Sequence, residues 1–185
     1  MTGRFPTALI LASGRGERFL ASGGQSHKLK ALLSGKPVLK HVIDAVKASG
    51  LPCHVEDAGH PGMGDSVAAA VRATPDAQGW LVLPGDLPLI QPATLQLLAA
   101  KLLEPLAAYQ VVVPVCNGQR GHPVGFTRAC GGALMGLTGA QGAAAVVRGF
   151  AVLEVAVSDV GCITDIDTVD ELKAAQALLD ARSGG

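Results

Sequence analysis

The feature that narrows the fold most is an abrupt change of character between residues 7 and 30. Thr7-Ala8-Leu9-Ile10-Leu11 is an apolar run of the kind that forms a buried strand. It stops at Ala12-Ser13-Gly14-Arg15-Gly16-Glu17-Arg18-Phe19, and Lys28-Leu29-Lys30 follows. A strand that ends in glycines leaves backbone N–H groups without ladder partners, and two arginines and two lysines stand nearby. Bare amides beside cations make an anion site, and a polyphosphate is the natural anion for it. The loop does not complete a dinucleotide fingerprint, because Phe19 stands where the third glycine belongs and Ala31 to Lys36 contain no acid. A P-loop is absent as well. The plain alternative is a glycine-rich turn with solvated cations.

At 185 residues the chain is expected to form one domain over 1–185, with an ordered core of about 7–182. Apolar residues are 49% and charged residues 16%, which argues against disorder. Fifteen basic and fifteen acidic residues cancel, so a nucleic-acid or membrane-surface partner is not expected. Aromatics are 3%, too few for a base-stacking platform. Cys53, Cys116, Cys130 and Cys162 are far apart, without C-x-x-C spacing, and are read as reduced cysteines in or near the core. There is no apolar stretch of membrane-spanning length and no room for a signal peptide before the first strand, so the expected location is cytoplasmic.

Helical spacing of Val38, Val42, Ala45 and Val46, with Pro37 in the first turn, predicts a helix ending at Gly50. Cys53-His54-Val55 reads as a strand ending at Glu56-Asp57. Asp65 or Ser66 is expected to cap a helix over Val67 to Ala73. Trp80 to Leu83 is a third strand, Thr94 to Leu103 a helix with Pro105 beyond it, and Val111 to Val115 a fourth strand. His122 to Phe126 should run antiparallel to that strand. Short helices near 130–137 and 140–147, a strand over Val152 to Val157, a helix over Val169 to Ala181 and a frayed Ser183-Gly184-Gly185 tail complete the chain. Alternating strands and helices predict a largely parallel sheet covered on both faces.

Acids stand where strands give way to loops, which is where open α/β sheets bind ligands. Asp86 is fixed between Pro84-Gly85 and Pro88 after a buried strand, and Asp165-Ile166-Asp167-Thr168 precedes the last helix. Each has a structural alternative, an Asx-turn for Asp86 and a helix cap for Asp167 or Thr168. If Asp86 and Asp167 converge, their oxygens suit Mg²⁺, which takes one or two carboxylates and completes its shell with water and phosphate. His122 is either an acid–base group or a hydrogen-bonded residue at a strand start.

In order along the chain, these segments resemble the MobA-like nucleotidyltransferase family, which includes molybdenum cofactor cytidylyl- and guanylyltransferases. The opening signature corresponds to Leu11 through Phe19, followed by Lys28-Leu29 and Leu33-Ser34-Gly35-Lys36-Pro37-Val38-Leu39. Gly62-Met63-Gly64-Asp65-Ser66, Gly85-Asp86-Leu87-Pro88, Gly121-His122-Pro123-Val124 and Asp165-Ile166-Asp167-Thr168 match the later elements. Departures are Ser13 for a smaller residue, Gly16 for a serine, a longer stretch from Phe19 to Lys28, a reduced edge before Gly62, and Ala140 and Ala144 where an acid and an arginine are usual.

The resemblance implies a Rossmann-like three-layer α/β/α sandwich of the nucleotide-diphospho-sugar transferase type, with one edge shortened. It implies Mg²⁺-dependent transfer of NMP from an NTP, CTP ahead of GTP, to a phosphorylated acceptor such as molybdopterin, with pyrophosphate released. In this reading Arg18 and the amides of Ser13 and Gly14 hold phosphates, and Lys28 neutralises charge at the α-phosphate. Asp86 and Asp167 hold the metal. Leu11, Ala12, Asp57 and Ser66 lie toward base and ribose, and Gly121 and His122 face the acceptor. Two alternatives remain, a glycosyltransferase-like enzyme using a nucleotide sugar and a non-catalytic nucleotide-binding accessory with a molybdoenzyme partner. The Leu20 to His27 insert has no assigned role.

Overall fold

The structure, a computed structural model, describes residues 5–104 and 108–183. The expected helix-stopping Pro105 and the Gly184-Gly185 tail lie outside the described residues. The chain opens with β1 (Thr7–Leu11), α1 (Glu17–Ala21), a 3₁₀ turn over Lys28–Lys30, and a ribbon of β2 (Leu32–Leu33) and β3 (Lys36–Pro37). Then come α2 (Val38–Ser49), β4 (Cys53–Glu56), α3 (Met63–Arg72), β5 (Gly79–Pro84) and α4 (Pro92–Leu102). The second half contains β6 (Val111–Cys116), β7 (Gln119–Arg120), β8 (Val124–Thr127), α5 (Gly131–Met135), α6 (Ala144–Val147), β9 (Val152–Ala156) and α7 (Val169–Ser183).

Seven strands form one sheet in the order β4-β1-β5-β8-β6-β7, with β9 also paired to β6. β1 runs parallel to β4 and β5, and β9 runs parallel to β6. The sheet is thus mainly parallel, as expected, and β8 lies antiparallel between β5 and β6. Alternation along β1 divides its side chains between two faces. Ala8 and Ile10 pack with Val42 and Val46 of α2 and Leu95 and Leu98 of α4. Leu9 and Leu11 pack with Val67 and Val71 of α3, Leu134 of α5 and Val146 of α6. Each large aliphatic side chain buried in this way contributes about 1.5–3 kcal/mol.

The stripe Val38, Val42, Val46 seats α2, which ends at Gly50 with φ 74°. Pro37, expected inside the first turn, instead precedes the helix and pairs with Leu32. β4 forms the shortened edge, and its Cys53 is exposed, whereas the other three free cysteines are buried.

α3 departs from the sequence expectation by starting at Met63 rather than Val67. A Cβ on Gly62 would stand 2.1 Å from the Gly139 carbonyl oxygen, so only glycine permits this approach. Gly64 N then donates to that oxygen at 2.8 Å. Asp65 does not cap α3; its carboxylate accepts from Gly139 N at 2.9 Å. Ser66 is buried in the first turn and donates to the Gly62 carbonyl at 3.2 Å. A tertiary contact with the 138–141 loop has overridden the local capping signal.

At the last helix the cap falls to Thr168. Its Oγ1 accepts from Glu171 N at 3.2 Å and donates to Glu171 Oε2 at 3.0 Å, a reciprocal capping arrangement. This leaves the Asp167 carboxylate free for other contacts. Buried Asp159 fastens the segment before α7 to α4. It accepts from Gln91 N at 2.9 Å, Thr94 Oγ1 at 2.8 Å and Gly161 N at 2.9 Å, with Arg182 3.4 Å away. No helix among the described residues is long and apolar enough to cross a membrane.

Candidate active site

The ends of β1 and β5 are locked together where the candidate residues begin. Gly85 N donates to the Leu11 carbonyl at 2.9 Å, and Ile166 N donates to the Asp86 carbonyl at 3.0 Å. These two bonds bring Asp86 beside the 165–167 loop. The 3₁₀ turn after the first loop delivers Lys28, whose Nζ lies 2.6 Å from both Asp86 Oδ2 and Asp167 Oδ1. Arg18 Nη1 lies 2.6 Å from the other Asp167 oxygen. The side chains of Lys28, Asp86 and Asp167 are 13%, 15% and 15% exposed, whereas Arg18 is 79% exposed. Burial alone would lower the Lys28 pKa, but Asp86 and Asp167 outweigh it and raise it above the ordinary 10.5. The ammonium is therefore charged throughout the neutral range.

Asp86 Oδ1 is buried without a hydrogen-bond partner. A buried carboxylate oxygen left unpaired in a cleft is an unused ligand position. The described residues contain no group of three or more His, Cys, Asp or Glu suited to a metal. Two carboxylates are nevertheless the complement Mg²⁺ takes when phosphates complete its shell, so Asp86 and Asp167 fit it.

The first loop is an amide nest. Ser13 Oγ anchors it by donating to the Glu56 carbonyl at 3.1 Å, and Ala12 N donates to the same oxygen at 2.8 Å. The amides of Ser13, Gly14, Arg15 and Gly16 donate to no protein acceptor among the described residues. Gly16 takes φ 67°, a turn that non-glycine residues rarely adopt. His27, at the end of the insert, braces the loop. Its Nε2 lies 2.6 Å from the Gly14 carbonyl oxygen, and its Nδ1 accepts from Leu29 N at 3.3 Å. A carbonyl only accepts and an amide only donates, so the proton sits on Nε2. Sequence reasoning missed this residue, because its partner lies across a loop without periodicity.

A cleft of about 740 Å³ is lined by Gly14, Arg18, Lys28, Asp86, His122 and Asp167 among others. A side cavity of about 240 Å³ adjoins it through Gly14, Lys28 and Asp86, and reaches Leu11, Ser13, His60, Gly62 and Ser66. A third, of about 470 Å³, has an aliphatic wall of Val67, Val82, Val113, Val124 and Val147, with Gly121, His122 and Arg148. Desolvation by the cleft walls lowers the His122 pKa against the opposing pull of Asp86 and Asp165, although the residue still reaches solvent, and this favours the neutral ring.

Though scattered along the chain, most of the expected residues thus line one connected set of cavities. Ala12 is a half-buried backbone anchor outside the lining, and Asp57 is exposed and lines none of these cavities. The inward acid at this strand end is Glu56, because successive strand residues face opposite ways. Ala144 lines the third cavity, and Arg148 stands one helical turn beyond it.

The family model for the MobA-like NTP transferase domain matches residues 45–157, more than half of the chain. The chain belongs to this family. Within this MobA-like NTP transferase, the matched segment contains Asp86 and His122, while Arg18, Lys28 and Asp167 lie outside it and meet Asp86 through the fold. Among curated proteins, the bifunctional protein GlmU of Halorhodospira halophila is 36% identical over 129 residues, which is 57% of this chain and 27% of GlmU. The chain therefore spans about a quarter of that relative's length. Rv0371c from Mycobacterium tuberculosis shares the fold at TM-score 0.71 and 22% identity, covering 93% of this chain and 98% of that one. Molybdopterin-guanine dinucleotide biosynthesis protein A from Archaeoglobus fulgidus does so at TM-score 0.69 and 17% identity, covering 95% and 99%.

Proposed function

We propose that residues 7–182 act as one nucleotidyltransferase domain that transfers NMP from an NTP to a phosphorylated small molecule and releases pyrophosphate. The observation that carries this reading is Lys28, held between Asp86 and Asp167 opposite a nest of unpaired amides. Phosphoryl-type transfer of this kind needs positioning and charge neutralisation rather than a covalent nucleophile. The Ser13 to Gly16 amides and Arg18 would hold the β- and γ-phosphates, and Lys28 would swing to the α-phosphate as charge develops there. Asp86 and Asp167 would hold Mg²⁺, which when bound neutralises triphosphate charge and draws electron density from the reacting phosphorus. A neutral His122 at the junction of the main cleft and the aliphatic cavity would donate or accept a hydrogen bond at the acceptor phosphate.

CTP ahead of GTP, and molybdopterin as acceptor, follow from the resemblance of the opening loop and of the Gly62 to Ser66 and Gly121 to Val124 elements to the cytidylyl branch. The A. fulgidus neighbour supports a pterin acceptor, and a manganese complex of Rv0371c supports a divalent cation.

The test is a thermal-shift panel of the four NTPs with and without Mg²⁺. A ligand at about 100 times its Kd adds about 2.7 kcal/mol, or roughly 5–10 °C in Tm for a chain of this size. No shift with any NTP would overturn the proposal. In turnover, Asp86→Ala and Lys28→Met should each lower the rate roughly 10²- to 10⁴-fold.

A further inference from the structure

A second cluster of ionisable groups lies beside the side cavity. Glu56, 7% exposed, accepts from His54 Nε2 at 3.2 Å through one carboxylate oxygen. The other oxygen accepts from His60 Nε2 at 3.0 Å and Ala58 N at 3.3 Å. The Glu56 backbone carbonyl meanwhile holds Ala12 and Ser13 of the first loop. One residue thus fixes His60 and the phosphate loop relative to each other.

Burial would raise the Glu56 pKa, yet the two histidine bonds and the Ala58 amide hold it below the ordinary carboxylate value. An ionised carboxylate can only accept, so Nε2 is the nitrogen of His60 that carries the donated proton. Nδ1 is then left as a hydrogen-bond acceptor. The His60 side chain is 25% exposed and lines the 240 Å³ cavity with Ser13, Gly62, Met63 and Ser66. That cavity opens beside the phosphate nest and is smaller than the roughly 300–1,000 Å³ of drug-sized sites, which suits a single nucleoside.

We propose that His60, oriented by Glu56, reads the nucleobase, its Nδ1 accepting a hydrogen bond from an exocyclic amino group. Cytosine presents an amino donor where uracil presents a carbonyl of nearly the same shape. Against uracil, two acceptors face each other, and a buried acceptor without a donor is unfavourable. This assignment rests on the nucleotidyltransferase reading. Glu56 is a positioning residue and makes no contact with the base.

The test is calorimetric binding of CTP, UTP and inorganic triphosphate to the full chain with Mg²⁺. CTP should bind the wild-type chain roughly 10- to 100-fold more tightly than UTP, the range set by one unpaired buried polar group. His60→Leu should bring the two within about threefold by weakening CTP alone. His60→Gln, whose amide can turn either its oxygen or its nitrogen to the base, should also level the two while keeping CTP affinity. Glu56→Gln keeps an acceptor for His60 and should preserve the preference, whereas Glu56→Ala should lose it. Triphosphate, which has no base, should bind the wild type and the His60 variants alike.

CTP and UTP binding the wild type equally would overturn this assignment while leaving nucleotide transfer intact. Failure of every NTP to bind would overturn both. A His60→Leu chain that loses triphosphate as much as CTP would make His60 a purely structural residue and also sink the proposal.

Discussion

Asp86 and Asp167 each lie against a cation, while Asp165, in the same cleft, has no ion pair among the described residues. Partial burial, together with the charges of Asp86, Asp167 and Glu171, raises its pKa above the ordinary 3.8. A carboxyl group with a raised folded pKa weakens the fold when ionised, and the penalty disappears as pH falls through that pKa. Asp165→Asn should therefore raise the Tm of the metal-free chain at pH 7 by about 1–2 °C, solvent screening keeping the effect small. The advantage should vanish near pH 4, as differential scanning calorimetry at the two pH values would show. Asp86 was legible in the sequence because proline, glycine and a strand end fix its place, and Asp167 because it stands in an acidic pair just before the last helix. The choice between Glu56 and Asp57 was not, since a shift of one residue at a strand end reverses the face.

Among the elements, the strands and most helices follow from apolar periodicity, and the glycine stop of α2 falls where the pattern places it. Two features were hidden. The early start of α3 depends on the backbone of a loop more than 70 residues further on, and β8, expected antiparallel to β6, also inserts between β6 and β5 in the middle of the sheet. Neither leaves a local signal, because each is set by what packs against the segment. Asp159 is a third such case, an acid without a motif that ties the entry of α4 to the turn before α7. Asp159→Ala strips the acceptor from Gln91 N, Thr94 Oγ1 and Gly161 N and the ion-pair partner from Arg182. It should cost about 2–4 kcal/mol, read as a lower urea midpoint at an unchanged m-value. A cost below about 1 kcal/mol would mean that these donors find water or other partners.

At the scale of the molecule, the ammonium of Lys28 and the guanidinium of Arg18 together already neutralise the two carboxylates that would hold a metal. EDTA should therefore leave the Tm of the nucleotide-free chain within about 1 °C, yet abolish the rise produced by NTP and Mg²⁺. A large loss of stability on chelation alone would show a resident metal instead. The same lysine joins positions 139 residues apart in the chain, from the first loop to the threshold of the last helix. Closing so long a loop comes late in folding, after the sheet has brought its ends near each other. During synthesis, the first loop leaves the ribosome long before Asp167 does. A chain cut short before that aspartate would lack the charged clasp across the cleft.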